Sequence, residues 1–181
     1  SPPDAAMDQW MATDFTRERI LNADATTVSV GHYEGGVYNN YWVLIFSYPE
    51  NSHTEDYRQE VLDLVNAQRA KYGLTALEMG DDDLTAAAQT RAEEIAVVNS
   101  HVRPDGSKCF TVLKDYGVTD TPTGENAAWG SVSPEEVVNA WMNSEGHRAN
   151  ILNPEARKMS VGYYYNSNST WGHQWIQIFT K

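Results

Sequence analysis

The stretch WMNSEGHRANILNP, residues 141–154, decides the fold, because a second version of it occurs near the N-terminus as WMATDFTRERILNA, residues 10–23. An ungapped comparison of residues 10–31 with residues 141–162 gives ten identical positions in 22, against about one or two from average residue usage. After a gap of two, residues 42–46 (WVLIF) align with residues 175–179 (WIQIF). The repeat predicts a degenerate, partial copy of a C-terminal half in residues 1–50 and a complete domain in residues 51–181.

The two copies differ at their centre, where Gly146 and His147 face Phe15 and Thr16. Residues that both copies keep are interpreted as scaffold. Arg148 is among them, because it recurs as Arg17 and is therefore expected to make a structural bond. A histidine that only the complete copy carries is a candidate site residue.

Composition excludes some classes of partner. The formal charge is −12, and residues 1–52 and 53–181 are both acidic, so nucleic acid and anionic membranes are not expected partners. The longest apolar run, residues 41–46, is far shorter than the roughly 20 residues of a membrane span. No signal peptide is visible, although an opening Ser1-Pro2-Pro3 without Met is compatible with removal of an export signal or anchor.

A single cysteine, Cys109, rules out an internal disulfide. It is compatible with the cytosol and equally with an exported bacterial protein that avoids cysteine. Cysteine usage therefore leaves the compartment open.

Hydrophobic periodicity and capping signals place helices first and a β-hairpin last in the complete domain. Residues 99–130 lack periodicity and carry turn signals, so they are predicted as loop apart from a short helix at 111–116. The predicted helices begin at Thr54, at Asp81 and at Ser133, and the predicted strands are residues 159–165 and 175–179. This order predicts an α+β or αβα layered domain.

The N-terminal copy repeats only the last third of that order, with a helix at residues 4–11 and a hairpin at 26–33 and 41–47. A linker at residues 47–53 separates it from the complete domain. One helix and one hairpin bury too little to stand alone. We expect residues 1–50 to pack on the main domain within the chain, to complete a sheet supplied by an upstream half, or to be domain-swapped between chains.

Three segments predicted as loops carry the polar groups of interest: residues 100–106, 124–126 and 145–148. Together with residues 65–69 and 161–163, and in this order, they resemble the CAP superfamily of cysteine-rich secretory proteins, antigen 5 and pathogenesis-related 1, in its bacterial, cysteine-poor SCP-like branch. The resemblance covers roughly residues 57–181. It implies an αβα sandwich of the CAP/SCP type that is extracellular or attached to the cell surface.

The resemblance also implies a central cleft with two histidines and acidic residues. On matching positions these are His101, His147 and Glu125, the last in the Gly-Glu-Asn motif. The second acid of eukaryotic members falls on Ser144, three residues after the helix tryptophan, and Glu145 follows one position later.

The chemistry of such a cleft leaves two versions open. Two neutral imidazoles and a carboxylate form an open site for Zn²⁺ or another divalent metal, with His101, His147 and Glu125 as ligands and water in the fourth position. Without metal, a carboxylate beside an imidazole orients the ring and raises its pKa, which gives a general base or a pH-sensitive pair. The structural alternative is that Glu125 caps a backbone N–H.

Three functions follow from these residues. The first is a secreted or surface-attached module that binds a metal and a lipid, peptide or cell-wall ligand. The second is a metal- or His-dependent hydrolase of peptide or cell-wall material, although the chain shows no His-Glu-x-x-His or Gly-x-Ser-x-Gly motif. The third is a structural spacer with a vestigial cleft. Binding is the favoured hypothesis.

Overall fold

A computed structural model describes residues 2–21, 25, 27–47 and 54–181. Backbone contacts divide the chain into two compact units, Ser1–Ser52 and His53–Lys181. The linker predicted at residues 47–53 lies, from residue 48 onward, outside the described residues. That residues 1–50 are a partial copy of the second unit stays a prediction.

The second unit is an αβα sandwich around a four-stranded sheet, whose strands lie in the order β3 (Glu78–Met79), β5 (Lys158–Tyr165), β6 (His173–Thr180) and β4 (Pro122–Trp129). Strand β3 runs parallel to β5, and the other pairs are antiparallel. Its helices and strands, in chain order, are α3 (Thr54–Lys71), β3 (Glu78–Met79), α4 (Asp82–Val97), α5 (Val112–Asp115), β4 (Pro122–Trp129), α6 (Pro134–Asn143), α7 (Glu145–Ile151), β5 (Lys158–Tyr165) and β6 (His173–Thr180), and a short 3₁₀ turn, Cys109–Thr111, precedes α5.

Alternating side chains of β6 fill two cores on opposite faces of the sheet. Trp175 and Phe179 pack in a cluster with residues of α3 and α6, whereas Ile176 and Ile178 pack in a second cluster with α4 and α5. A strand that is apolar on both faces needs a helical layer on each side. The predicted αβα architecture is therefore confirmed.

Local signals in the sequence explain where the helices of this unit begin. The Asp81 carboxylate accepts the Leu84 N–H at 2.9 Å, and the Ser133 hydroxyl accepts the Glu136 N–H at 3.3 Å. Pro134 occupies the first position of α6, where its missing N–H has no intrahelical partner to lose. These caps satisfy donors that a helix start would otherwise leave unpaired.

The first unit consists of two helices and one hairpin: α1 (Pro3–Met11), α2 (Asp14–Ile20), β1 (Thr27–Glu34) and β2 (Asn40–Ser47). The hairpin pairs Thr27 with Ser47 and Glu34 with Asn40. A guanidinium N–H of Arg17 donates to the Met11 carbonyl at 3.2 Å, and Arg148 makes the corresponding bond to Met142 at 3.0 Å. The structural role predicted for Arg148 is therefore confirmed.

Two segments predicted as loops belong to regular elements. Residues 124–126 lie inside β4, and residues 145–148 lie inside α7. Both predictions were wrong because neither segment shows apolar periodicity of its own. The buried interior of β4 includes the polar residues Glu125 and Asn126, and α7 is only seven residues long. Tertiary hydrogen bonds, described below, satisfy the polar groups instead.

Candidate functional site

Strand β4 places Glu125 and Asn126 in the interior beside helix α7. Gly124 permits the close approach, because a Cβ at this position would lie 2.6 Å from the side chain of Asn150. The Asn150 amide donates to the Glu125 carbonyl at 3.2 Å and to the Asn126 side-chain oxygen at 2.8 Å. Glycine in a strand commonly marks such a contact. The Gly-Glu-Asn motif thus attaches β4 to α7.

The Glu125 carboxylate is buried and both of its oxygens are hydrogen-bonded. Arg91 of α4 donates from Nε to Oε2 at 3.0 Å and from Nη2 to Oε1 at 3.3 Å. Nδ1 of His101 lies 2.7 Å from Oε1. A buried carboxylate needs such partners, because burial without them favours its neutral form. Glu125 therefore orients His101 through a hydrogen bond.

Arg91 also fixes the segment that carries His101. Its Nη2 donates to the Ser100 carbonyl at 3.1 Å, and its Nη1 donates to Glu94 at 2.6 Å. Glu94 in turn accepts from Arg103 at 2.7 Å. Arg91, Glu94, Arg103 and Glu125 thus form one charged network. This network holds the irregular segment that carries His101 against α4.

The imidazole of His101 combines a fixed Nδ1 with access to solvent. The hydrogen bond to Glu125 raises the pKa of His101 above its ordinary value. Its side chain is 54% exposed, and within the described part of the chain no hydrogen bond engages Nε2. A carboxylate on Nδ1 sets the tautomer that leaves Nε2 free to bind a metal or accept a proton.

His147 lies on α7 and is half-buried. Burial, followed by the positive charge of His101, lowers its pKa. Its backbone carbonyl accepts the Asn126 amide at 3.1 Å. The structure therefore joins His101 to Glu125 by a hydrogen bond and attaches the backbone at His147 to Asn126, and the pKa values of the two histidines shift in opposite directions.

Two further residues hold the helix of His147 in place. The fully buried Arg69 of α3 donates from Nη1 to the carbonyls of Ile151 at 2.7 Å and Asn153 at 2.9 Å, at the end of α7. Gln177 of β6 accepts the Asn126 amide at 3.0 Å. Sequence reasoning missed the role of Gln177, although a glutamine in the middle of an apolar strand is a signal for a buried amide network.

The two positions considered for a second acid do not meet the histidines. Glu145 is exposed in the first turn of α7, and no hydrogen bond or ion pair joins it to another described side chain. Ser144 connects two helices: its N–H donates to the Trp141 carbonyl at 3.1 Å, and its own carbonyl accepts the Arg148 N–H at 2.8 Å. Both are therefore better interpreted as elements of the α6–α7 junction.

The donor set limits how a metal could be held. Among the described residues, no three or more His, Cys, Asp or Glu side chains are grouped as a metal site. Both oxygens of Glu125 are engaged by Arg91 and His101, so the carboxylate is not free to act as a third ligand. A metal bound here would therefore have only the two imidazoles as protein ligands, with Glu125 hydrogen-bonded to His101.

Cys109 lies close to this network but does not suit nucleophilic chemistry. The residue is buried, and burial raises the pKa of its thiol to about 11. The thiolate is the nucleophilic form, and at neutral pH a thiol with this pKa is almost entirely protonated. The side chains around Glu125 therefore include an imidazole and amides, but no activated thiol.

This geometry can be compared with known proteins. The cysteine-rich secretory protein family (CAP) matches residues 62–179, so the chain belongs to this family and the resemblance found in the sequence is confirmed. The uncharacterized protein YkwD of Bacillus subtilis (strain 168) is 41% identical over 127 residues, which are 69% of this chain and 49% of YkwD.

Two solved structures are similar to the fold. An extracellular protein containing a SCP domain from Bacillus anthracis str. Ames has a TM-score of 0.63 at 25% identity, over 77% of this chain and 47% of that protein. An outer surface protein from Borrelia burgdorferi has a TM-score of 0.63 at 23% identity, over 73% and 96%. The chain thus spans about half the length of the Bacillus relatives it matches.

No helix in its described part is long and apolar enough to cross a bilayer.

Proposed function

We propose that the second unit is an extracellular or cell-surface binding module whose cleft holds a divalent metal such as Zn²⁺ on His101 and His147. The observation that carries this proposal is the engagement of Glu125 by Arg91 and His101. A carboxylate on the Nδ1 side of a histidine fixes the ring and increases its basicity as a ligand. Glu125 is then a positioning residue, which revises the three-ligand hypothesis drawn from the sequence.

A metal on two imidazoles would keep open positions for water and for a ligand atom. Bound there, it would supply a Lewis acid that attracts an anionic or carbonyl oxygen. The ligand class is therefore a lipid, peptide or cell-wall component that presents such an oxygen. The absence of an activated thiol at Cys109 favours binding over covalent catalysis.

The extracellular location is proposed from the solved structures, whose names describe an extracellular and an outer surface protein. Fractionation of native cells tests it. The protein is expected in the culture medium or on protease-accessible surface. Recovery only from the cytoplasm would contradict the proposal.

Isothermal titration with Zn²⁺ tests the metal site in protein stripped with chelator and dialysed. One equivalent is expected to bind. His101→Ala and His147→Ala each remove a ligand and should abolish stoichiometric binding, whereas Glu125→Gln should weaken binding by about 10–100-fold. His32→Ala is the matched control, since His32 is an exposed histidine of the first unit. Binding that survives both cleft substitutions would refute the assignment.

A hydrolase is the second candidate function, supported by the opposite pKa shifts of the two histidines. An imidazole with a raised pKa beside one with a lowered pKa is an arrangement that general acid–base catalysis can use. Turnover of a peptide library or of peptidoglycan, lost in both His147→Ala and Glu125→Gln, would establish it. A protein with neither turnover nor metal binding would instead be a structural spacer.

A further inference from the structure

The hairpin of the first unit exposes one complete face. Strand alternation puts Ser29, Gly31 and Tyr33 of β1 on the same side as Tyr41, Val43 and Ile45 of β2. We call these six residues the open face. All six are exposed, including Val43 at 55% and Ile45 at 63%. Exposed aliphatic and aromatic side chains grouped in this way mark an interaction surface.

The hairpin β5–β6 shows what covers an equivalent face. Strands β1 and β5 are both eight residues long, as are β2 and β6, and the two hairpins have the same pairing when residues 27–34 are set against 158–165 and 40–47 against 173–180. Val43 and Ile45 then correspond to Ile176 and Ile178. Those two side chains are fully buried in the cluster formed with α4 and α5.

A glycine identifies the kind of element that would cover the open face. Gly162 of β5 lies against the backbone of α4, since a Cβ there would be 2.0 Å from the Ala88 carbonyl oxygen. Gly31 corresponds to Gly162, yet the nearest atom to a Cβ on Gly31 is the Cβ of Val43, at 3.9 Å. Nothing described in the first unit therefore requires glycine at this position.

The neighbouring serine follows the same pattern. Ser160 is paired through its hydroxyl with Thr85 of α4 at 3.1 Å, and its counterpart in β1 is Ser29. Ser29 and Gly31 of β1 thus correspond to Ser160 and Gly162 of β5, which contact the alanine-rich helix α4. Glycine inside a strand commonly marks the close approach of another backbone.

Among the described residues, no third strand pairs with this hairpin. Strand β6 pairs with β5 on one side and with β4 on the other, whereas the described part of the first unit has a sheet of two strands only. An unpaired edge beside an exposed apolar face can accept a strand and a helix together.

We propose that the open face, together with the β2 side of the hairpin, forms a docking surface for the first half of a CAP domain. In this assembly an alanine-faced helix like α4 crosses Gly31, and a strand like β4 pairs with β2. Two copies of the open face stacked on each other are the competing occupant. Stacked sheets lie about 10 Å apart, which requires no glycine, so Gly31 favours a helix backbone.

A tandem protein tests this proposal. Residues 54–131 are placed directly before Ser1 of the full chain, because Ser1 corresponds to Val132 in the repeat and the join keeps the native spacing. Linking gives the two halves a high effective concentration. Amide protons of β2 that point away from β1 are expected to exchange at least about tenfold more slowly than in the full chain alone.

Gly31→Val is expected to abolish that protection in the tandem protein. The same substitution in the full chain should leave its melting temperature unchanged, since Gly31 has open space, so a folding defect is distinguishable from lost docking. Tyr38→Val, at the exposed turn, is the matched control and should keep the protection.

Three outcomes would overturn the proposal. One is fast exchange of the outward-pointing β2 amide protons in the tandem protein. Another is slow exchange of these protons that persists with Gly31→Val. The third is a full chain that dimerises in sedimentation experiments and loses the dimer with Gly31→Val, because this result assigns the face to a second copy.

Discussion

Arg91 and Glu125 form a fully buried ion pair in which two guanidinium nitrogens contact the two carboxylate oxygens at 3.0 and 3.3 Å. This pair connects α4 to β4, and the Glu125 carboxylate also forms a hydrogen bond with His101. Arg91 holds the Glu125 carboxylate, and the carboxylate in turn holds His101. The orientation of His101 therefore depends on Arg91.

Removing Arg91 alone should lower the free energy of unfolding more than removing the charges of both Arg91 and Glu125. Arg91→Met leaves Glu125 buried without its cation and is expected to destabilise the second unit by about 3–5 kcal/mol. The double variant Arg91→Met with Glu125→Gln should be less destabilised than Arg91→Met alone. Urea denaturation measures both, and equal stabilities of the single and double variants would show that the pair is not coupled.

The two cleft histidines should titrate on opposite sides of about pH 6.5, the ordinary imidazole pKa. In metal-free protein with chelator, NMR titration is expected to place the pKa of His101 above this value and that of His147 below it. Glu125→Gln should lower the pKa of His101. His101→Ala should raise the pKa of His147, because a neighbouring positive charge is removed. Unchanged values in both variants would contradict the network.

Stability should depend on pH with a sign fixed by these shifts. The raised pKa of His101 contributes stability that is complete below about pH 6.5 and is lost as pH rises through the folded-state pKa. The lowered pKa of His147 acts in the opposite sense, so its contribution is lost as pH falls below about 6.5. Glu125→Gln should remove the loss on the alkaline side, as measured by the free energy of unfolding between pH 5 and pH 9 (about the range in which imidazoles titrate).

Two glycine substitutions should have opposite effects. Gly162→Ala places a Cβ against the α4 backbone at the Ala88 carbonyl and is expected to cost about 3 kcal/mol or more. Gly146→Ala, next to His147 in α7, meets nothing within 4 Å and should stabilise by about 0.5–1 kcal/mol through helix propensity. Thermal unfolding of both variants checks the pair. A tolerated Gly162→Ala would show that α4 is packed less closely.

The Cys109 thiol should be inert in the folded protein. Its pKa of about 11 and its burial predict no reaction with a disulfide reagent at about pH 8, the range in which an ordinary thiol reacts. One equivalent should react in urea. Rapid reaction of the native protein would show that this part of the network opens.

The sequence was sufficient to predict those elements whose signals are local. Helices α4 and α6 begin at the predicted caps Asp81 and Ser133, and β5 and β6 lie where apolar alternation predicted a hairpin. Strand β4 was missed because the partners of Glu125 and Asn126 come from distant elements. Hydrophobic periodicity along the chain reports only local structure and cannot reveal those contacts.

The role of Arg91 was missed for a related reason, yet a signal was present. Arg91 falls on the apolar stripe of α4 together with Ala88 and Ile95. A charged residue on a face that is otherwise buried requires a buried partner of opposite charge. That partner is the acid of the Gly-Glu-Asn motif, Glu125, and this pairing could have been proposed from the sequence alone.

The most direct test of the central claim, a metal held by His101 and His147, is to follow all imidazole resonances by NMR while Zn²⁺ is added to metal-free protein. We predict that His101 and His147 shift together and saturate at one equivalent, while His32 and His173 stay unchanged. A titration in which neither cleft histidine responds, or in which only one does, would contradict the proposed site.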